Sequence, residues 1–205
     1  MLFKNSYYQL EKPSKGIYKS KGSKFIAYAF IVKNEQEVNQ NLINIKKIEN
    51  SARHHCFAYI LNPDKSATKV SDDGEPSNTA GKPILGQINS NDLTNILIIV
   101  VRYFGGIKLG ISGLIKAYKS ASNDAINNNK IIIKNIVEEY NISFDFEETN
   151  FVMKICKKFK VKIINNTYKD FCEVKYHVKK DDADLTRYEL LKNHKIKVKF
   201  IKTIQ

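Results

Sequence analysis

Residues 95–128 constrain the chain most, because they read as a strand, a glycine-rich turn and a helix in unbroken succession. Ile96, Leu97, Ile98, Ile99, Val100 and Val101 form an aliphatic run that is too short for a membrane span and suits a strand covered on both faces. Arg102, Tyr103 and Phe104 end it. Gly105, Gly106, Gly110 and Gly113 follow within nine positions, more backbone freedom than a strand exit needs, which implies a close approach to the main chain. From Leu114 the spacing is helical: Leu114, Ala117, Tyr118, Ala121 and Ala125 share one face, and Lys116, Lys119, Ser120 and Asn123 the other. The small residues let this helix lie close to the strand.

A helix that opens just after a glycine turn presents free amides and the positive end of its dipole, with Arg102 and Lys108 nearby. That combination suits an anion. The alternative is that the glycines only permit a tight strand-to-helix packing turn. The glycines do not make G-x-G-x-x-G, and no Lys followed by Ser or Thr completes a P-loop after Gly110. Gly110, Ile111, Ser112 and Gly113 approach a nucleophile elbow, but Leu114 stands where its second glycine belongs. No cofactor fingerprint is therefore present, and a serine hydrolase is disfavoured.

The 205 residues allow one large domain or two small ones. A net charge of +13 would attract nucleic acid or another acidic surface, but the excess is spread over both halves, in a chain rich throughout in Lys, Asn and Ile. Cys56, Cys156 and Cys172 are too far apart for a C-x-x-C metal site and odd in number, so buried free thiols are expected and no metal. The opening residues carry Lys4, Asn5 and Ser6 where a signal peptide needs its apolar region. A cytoplasmic location without membrane contact is the expectation.

Towards the N-terminus, Ile17–Tyr18 and residues 25–32 read as paired strands joined by a basic turn, with Lys15, Lys19, Lys21 and Lys24 clustered there. The turn is either a phosphate-contacting patch or a solvated hairpin. Asn34 caps a helix with Glu35 and Glu37 in its first turn. Arg53, His54, His55 and Cys56 lead into a third strand, in which alternation puts His54 and Cys56 on one face. A thiolate at Cys56 would need an electropositive, partly exposed setting that this apolar strand does not suggest. Residues 71–83 gather Asp72, Asp73, Gly74 and Glu75 before Pro76, Ser77, Asn78 and Lys82. This loop lacks the EF-hand spacing. Its acids are expected to fold back onto Arg102, Lys82 or Arg53, or to form a binding surface, with Ser77 or Asn78 capping a helix over residues 79–88.

Beyond residue 128 the pattern runs strand (137–146), helix (147–159), strands (161–168 and 171–178) about a Lys169–Asp170 turn, helix (181–193) and strand (196–201). That is βαββαβ, the split ferredoxin-like plan. The Asn127, Asn128, Asn129, Lys130 run marks a boundary, giving domains of residues 1–132 and 133–205.

The stretches SDDGEPSNTAGKPIL (71–85) and VVRYFGGIKLGISGLIKAY (100–118), with KGSKFIA and ARHHCFAYIL before them, resemble the signatures of the IMPACT family in its bacterial YigZ-like form. Asn78 stands where that pattern has glycine, and Ile111–Ser112 replaces a more glycine-rich or threonine-containing run. The resemblance covers the N-terminal two thirds. It implies an α+β protein: a ribosomal-protein-like α/β sandwich similar to domain IV of elongation factor G, followed by a ferredoxin-like domain similar to that factor's last one. Eukaryotic relatives in this family are translational regulators, and nucleic-acid or ribosome binding is suggested for bacterial members. Fold-level analogy supports such a role without fixing it.

Two functions compete. In the first, a non-enzymatic protein docks on RNA, the ribosome or a translation-associated protein. Lys19, Lys21, Lys24, Arg102, Lys108, Lys116 and Lys119 contact phosphates, Tyr103 and Phe104 stack on bases, and Arg53 and His54 give polar support. Core packing is the competing role for both aromatics, and is favoured for Phe104. In the second, a hydrolase holds a small anionic substrate in the glycine loop formed by Gly105 and Gly106, with Asp72, Asp73, Glu75 or His54 as acid and base. Both need the acidic turn and the glycine bend side by side.

Overall fold

The computed structural model describes residues 5–168 and 171–204. Its contacts divide the chain into two units: Tyr7–Ile133, and a second that takes Lys134 onward together with Asn5 and Ser6. The protein is α+β.

In the first unit, β2 (Ser14–Ser20), β3 (Ser23–Ile31), β4 (His54–Leu61), β5 (Ala67–Ser71) and β6 (Ile96–Tyr103) form an antiparallel sheet of order β2-β3-β6-β4-β5. The aliphatic run becomes the central strand β6, and Ile96 to Val101 are buried on both faces. Alternation divides the core. Ile96, Ile98 and Val100 join Phe25, Ala27, Cys56 and Ala58 against α2 (Gly81–Ser90) and α3 (Gly110–Asn127). Leu97, Ile99 and Val101 join Ile26, Tyr28 and Tyr59 against Val38 and Ile45 of α1 (Glu35–Ile48). The sheet therefore lies between one helix on one face and two on the other. As the sequence implies, Asn34 caps α1, its Oδ1 accepting from the Glu37 amide at 2.8 Å.

The β2–β3 hairpin turns through Lys21 (φ 45°) and Gly22 (φ 76°), the paired positive angles that match the twist of adjoining strands. Two close approaches explain glycines here. A Cβ on Gly16 would sit 2.2 Å from the Ala125 amide nitrogen, and one on Gly105 would sit 1.9 Å from the Gly22 carbonyl carbon. Sequence reading missed three strands: β5, β1 (Ser6–Leu10) and β7 (Ile131–Asn135). The last two pair in a ladder of their own, and β7 spans the boundary expected between residues 132 and 133.

The second unit contains β8 (Val137–Phe144), α4 (Thr149–Lys158), β9 (Lys162–Tyr168), β10 (Cys172–Lys179), α5 (Lys180–Leu191) and β11 (Lys197–Ile204). Its antiparallel sheet has the order β11-β8-β10-β9, the arrangement of a βαββαβ split ferredoxin-like unit. Ile142, Val174, Tyr176, Val152, Ile155 and Leu190 fill the core between sheet and helices. The first strand ends at Phe144 rather than residue 146, because a 3-10 turn at Phe146–Glu148 precedes α4. The expected Lys169–Asp170 turn lies outside the described residues. All three cysteines are buried free thiols.

Candidate functional site

The site begins where β6 runs out of aliphatic residues. Cross-strand register sets Phe25, Arg102 and His54 in one row on the α2–α3 face of the sheet, so the Arg102 guanidinium ends up inside the protein. Its side chain is 8% exposed, and Nη1 donates to Glu75 Oε1 at 2.7 Å. The same oxygen accepts from the buried Tyr118 hydroxyl at 2.8 Å. The guanidinium carbon lies 5.5 Å from the ring centroids of both Phe25 and Phe104. Of the cations the acids were expected to reach, Arg102 is the one paired with Glu75. Tyr118 was read only as part of an apolar helix face. The signal available was that a buried phenol needs a polar partner.

Asp72 to Glu75 form a tight turn, the Glu75 amide donating to the Asp72 carbonyl at 2.9 Å, through Asp73 (φ 41°) and Gly74 (φ 86°). Asp72 corrects the expected capping. Helix α2 starts at Gly81, two residues later than expected, and neither Ser77 nor Asn78 caps it. Asp72 instead accepts from the amides of Asn78 (2.8 Å), Ala80 (2.9 Å) and Gly81 (2.8 Å). Burial pushes the Asp72 carboxyl up, but these three amides and nearby Lys82 outweigh it and hold it below its usual range. Asn78 lies in the left-handed region at φ 65°, which glycine and Asn both tolerate. Asp73 Oδ2 accepts from the His55 amide at 2.6 Å, and its carbonyl lies 2.8 Å from His54 Nδ1. A carbonyl only accepts, so His54 carries its proton on Nδ1 and turns Nε2 elsewhere. Cys56 Sγ lies 2.9 Å from the Asp72 carbonyl and 3.3 Å from the Tyr118 hydroxyl.

Glu75 of the acidic turn and Lys108 to Gly110 of the glycine-rich stretch line one cleft of about 500 Å³, whereas Asp72, Asp73, Gly105 and Gly106 are not among its lining residues. Its polar wall is Arg53, His54, Glu75, Arg102 and Lys108, its apolar wall Pro76, Phe104, Leu109, Ile111 and Leu114, and Gly110 opens α3 at its edge. Helix α3 begins one turn before the expected Leu114. Leu109 provides no side-chain cap, and no acid stands in the first turn, so the leading amides remain available. Gly110 (φ 71°) and Gly106 (φ 88°) need glycine's left-handed freedom.

Phe104 does not pack in the core, as the sequence had suggested; it is 51% exposed and lines the cleft. Tyr103 points to the opposite face, where its hydroxyl and that of Tyr28 both donate to Glu49. Burial pushes Glu49 up, but those hydroxyls, with Lys15 and Lys24, bring it below its usual range. Gly105 lies against the β2–β3 turn, its amide donating to Ser23 Oγ at 3.1 Å. Lys19, Lys21 and Lys24 line a separate shallow depression on that turn. Lys116 and Lys119 are exposed on α3 outside the cleft, as are Gly74, Ser77 and Lys82 around the acidic turn.

Residues 21–126 match the model of the Impact N-terminal domain, a span that contains every residue of the cleft. The chain belongs to the IMPACT family. It is 34% identical over 142 residues to the IMPACT family member YvyE of Bacillus subtilis, covering 69% of this chain and 65% of that protein. An IMPACT family member of Haemophilus influenzae is 33% identical over 72% of this chain and 73% of its own length. YigZ of Escherichia coli is 39% identical over 58% of this chain and 60% of its own. A crystal structure described as that of a hypothetical protein superposes with a TM-score of 0.71 at 27% identity, covering 97% of this chain and 98% of the other. Among the described residues no helix is long and apolar enough to cross a membrane.

Proposed function

We propose that this IMPACT family protein is a non-catalytic binding protein that docks on RNA of the translation apparatus through the first unit, with the cleft at the centre of its recognition surface. The observation that carries the reading is the convergence of Arg53, Arg102 and Lys108 with the uncapped start of α3 around one cleft, opposed by a single carboxylate already committed to Arg102 and Tyr118. Such a site selects anions. The acids that a hydrolase would use are occupied structurally: Asp72 holds three amides and Asp73 one. Exposed Phe104 offers a face for stacking, and exposed Lys19, Lys21, Lys24, Lys116 and Lys119 extend the positive surface. The family's translational associations agree with this reading.

Recovering the protein from lysate at low salt, with and without nuclease, tests it. RNA should accompany the protein and be released by nuclease. Association with a protein partner that survives nuclease, with no RNA recovered, would overturn the reading in favour of an adaptor.

A further inference from the structure

Resting on that RNA-binding reading, we infer that the cleft is a pocket for a nucleotide bearing a terminal phosphate monoester, and does not serve merely as part of a track for internal phosphodiesters.

The first argument is charge. Arg53, Arg102 and Lys108 face the cleft against Glu75 alone, leaving two formal positive charges, and the α3 terminus adds about half a charge more. A monoester carries about −1.5 to −2 at neutral pH, so it matches this surplus better than a singly charged diester does.

The second argument is an unmet donor. Arg102 lines the cleft with its side chain 8% exposed, yet its Nε has no hydrogen-bond partner among the described residues. Buried donors on native side chains are seldom left unpaired. A planar guanidinium with donors to spare is suited to an oxyanion.

The third is the apolar wall. Phe104 stands half exposed beside the guanidinium, and Leu109 and Ile111 line the same cleft. Phosphate alone would leave these surfaces unused, whereas a base attached to it could stack on Phe104. The volume of about 500 Å³ lies within the usual range for small-molecule sites.

The test measures binding of one RNA sequence carrying a 5′-phosphate, a 3′-phosphate or neither, and competition by adenosine 5′-monophosphate and by inorganic phosphate. A phosphorylated end should bind at least about tenfold more tightly than the unphosphorylated RNA, the worth of one charge-assisted hydrogen bond. The mononucleotide should compete better than inorganic phosphate. Lys108→Ala and Phe104→Ala, both at exposed positions, should remove the preference for the phosphorylated end while leaving the thermal unfolding profile in place. If the mononucleotide binds as tightly as the phosphorylated RNA, free nucleotide is the source of the ligand; tighter binding of the RNA identifies a terminus. Equal affinity for all three RNAs, with no competition by the mononucleotide, overturns the inference even where RNA binding persists. Mononucleotide binding without RNA binding retains the pocket and removes the RNA reading.

Discussion

Glu75 Oε1 receives the Arg102 guanidinium at 2.7 Å and the Tyr118 hydroxyl at 2.8 Å, with both ion-pair side chains less than one tenth exposed. Removing one member of such a pair leaves an uncompensated charge in a poorly solvated place. Glu75→Ala is expected to lower stability by about 3–5 kcal/mol, measured by urea unfolding. Asp72 acts more locally. Asp72→Ala should lower stability at neutral pH by about 0.5–2 kcal/mol, as loss of a helix cap does. The Asp72 carboxyl lies below its usual range in the folded protein, so its ionised form contributes fully above the unfolded value near ~3.9 and loses that contribution as pH falls through the folded value. The stability difference between wild type and Asp72→Ala should therefore narrow below about pH 4. A difference that grew in acid would contradict the capping role. Burial pushes the Cys56 thiol up to about 12, partly countered by the Tyr118 hydroxyl, with Glu75, Asp73 and Asp72 adding to the rise. Iodoacetamide at mildly alkaline pH should leave Cys56 unmodified in the native protein and alkylate it in urea, as read by peptide mass spectrometry.

The glycines divide by what surrounds them. Gly16→Ala and Gly105→Ala would drive a methyl into backbone atoms at 2.2 and 1.9 Å, and each should destabilise by about 1–3 kcal/mol. Gly86 lies inside α2 with nothing within 4 Å of its would-be Cβ, so Gly86→Ala should stabilise by about 0.5–1 kcal/mol. Thermal melts of the three variants check both signs. The same elements show why the sequence was legible in parts. Strand β6 and the Asn34 cap declare themselves through local residue choice. Helix α3 starts among Gly110 and Gly113, poor helix formers, so its first turn carries no helical signal in the sequence. Helix α2 takes its capping carboxylate from Asp72, nine residues before Gly81, beyond any local capping pattern. β5 has exposed or half-exposed residues throughout, and β7 exposes Ile131 and Ile133, so neither carries the alternation that marks a half-buried strand.

Across the whole molecule, the βαββαβ order of the second unit is readable from periodicity, the fold of the first is what the family resemblance implies, and the glycine bend and acidic turn stand out as separate motifs. The pairing of an acid with Arg102 is among the contacts expected from the sequence, but the Tyr118 hydroxyl on the same Glu75 oxygen was not readable, because it depends on α3 bringing Tyr118 to that carboxylate. Nor was the exposure of Phe104, since an aromatic following a buried strand gives no local sign of which way it turns. The central claim is that a basic cleft in the first unit engages RNA phosphates. Its most direct test is the RNA dissociation constant of the wild type and of Lys108→Ala as a function of salt concentration. Wild-type affinity should fall steadily with salt, with a log–log slope of about 0.7 for each single-strand phosphate contacted, and Lys108→Ala should flatten that slope by about one contact. Binding that is absent, or equally tight at low and high salt in both proteins, would contradict it.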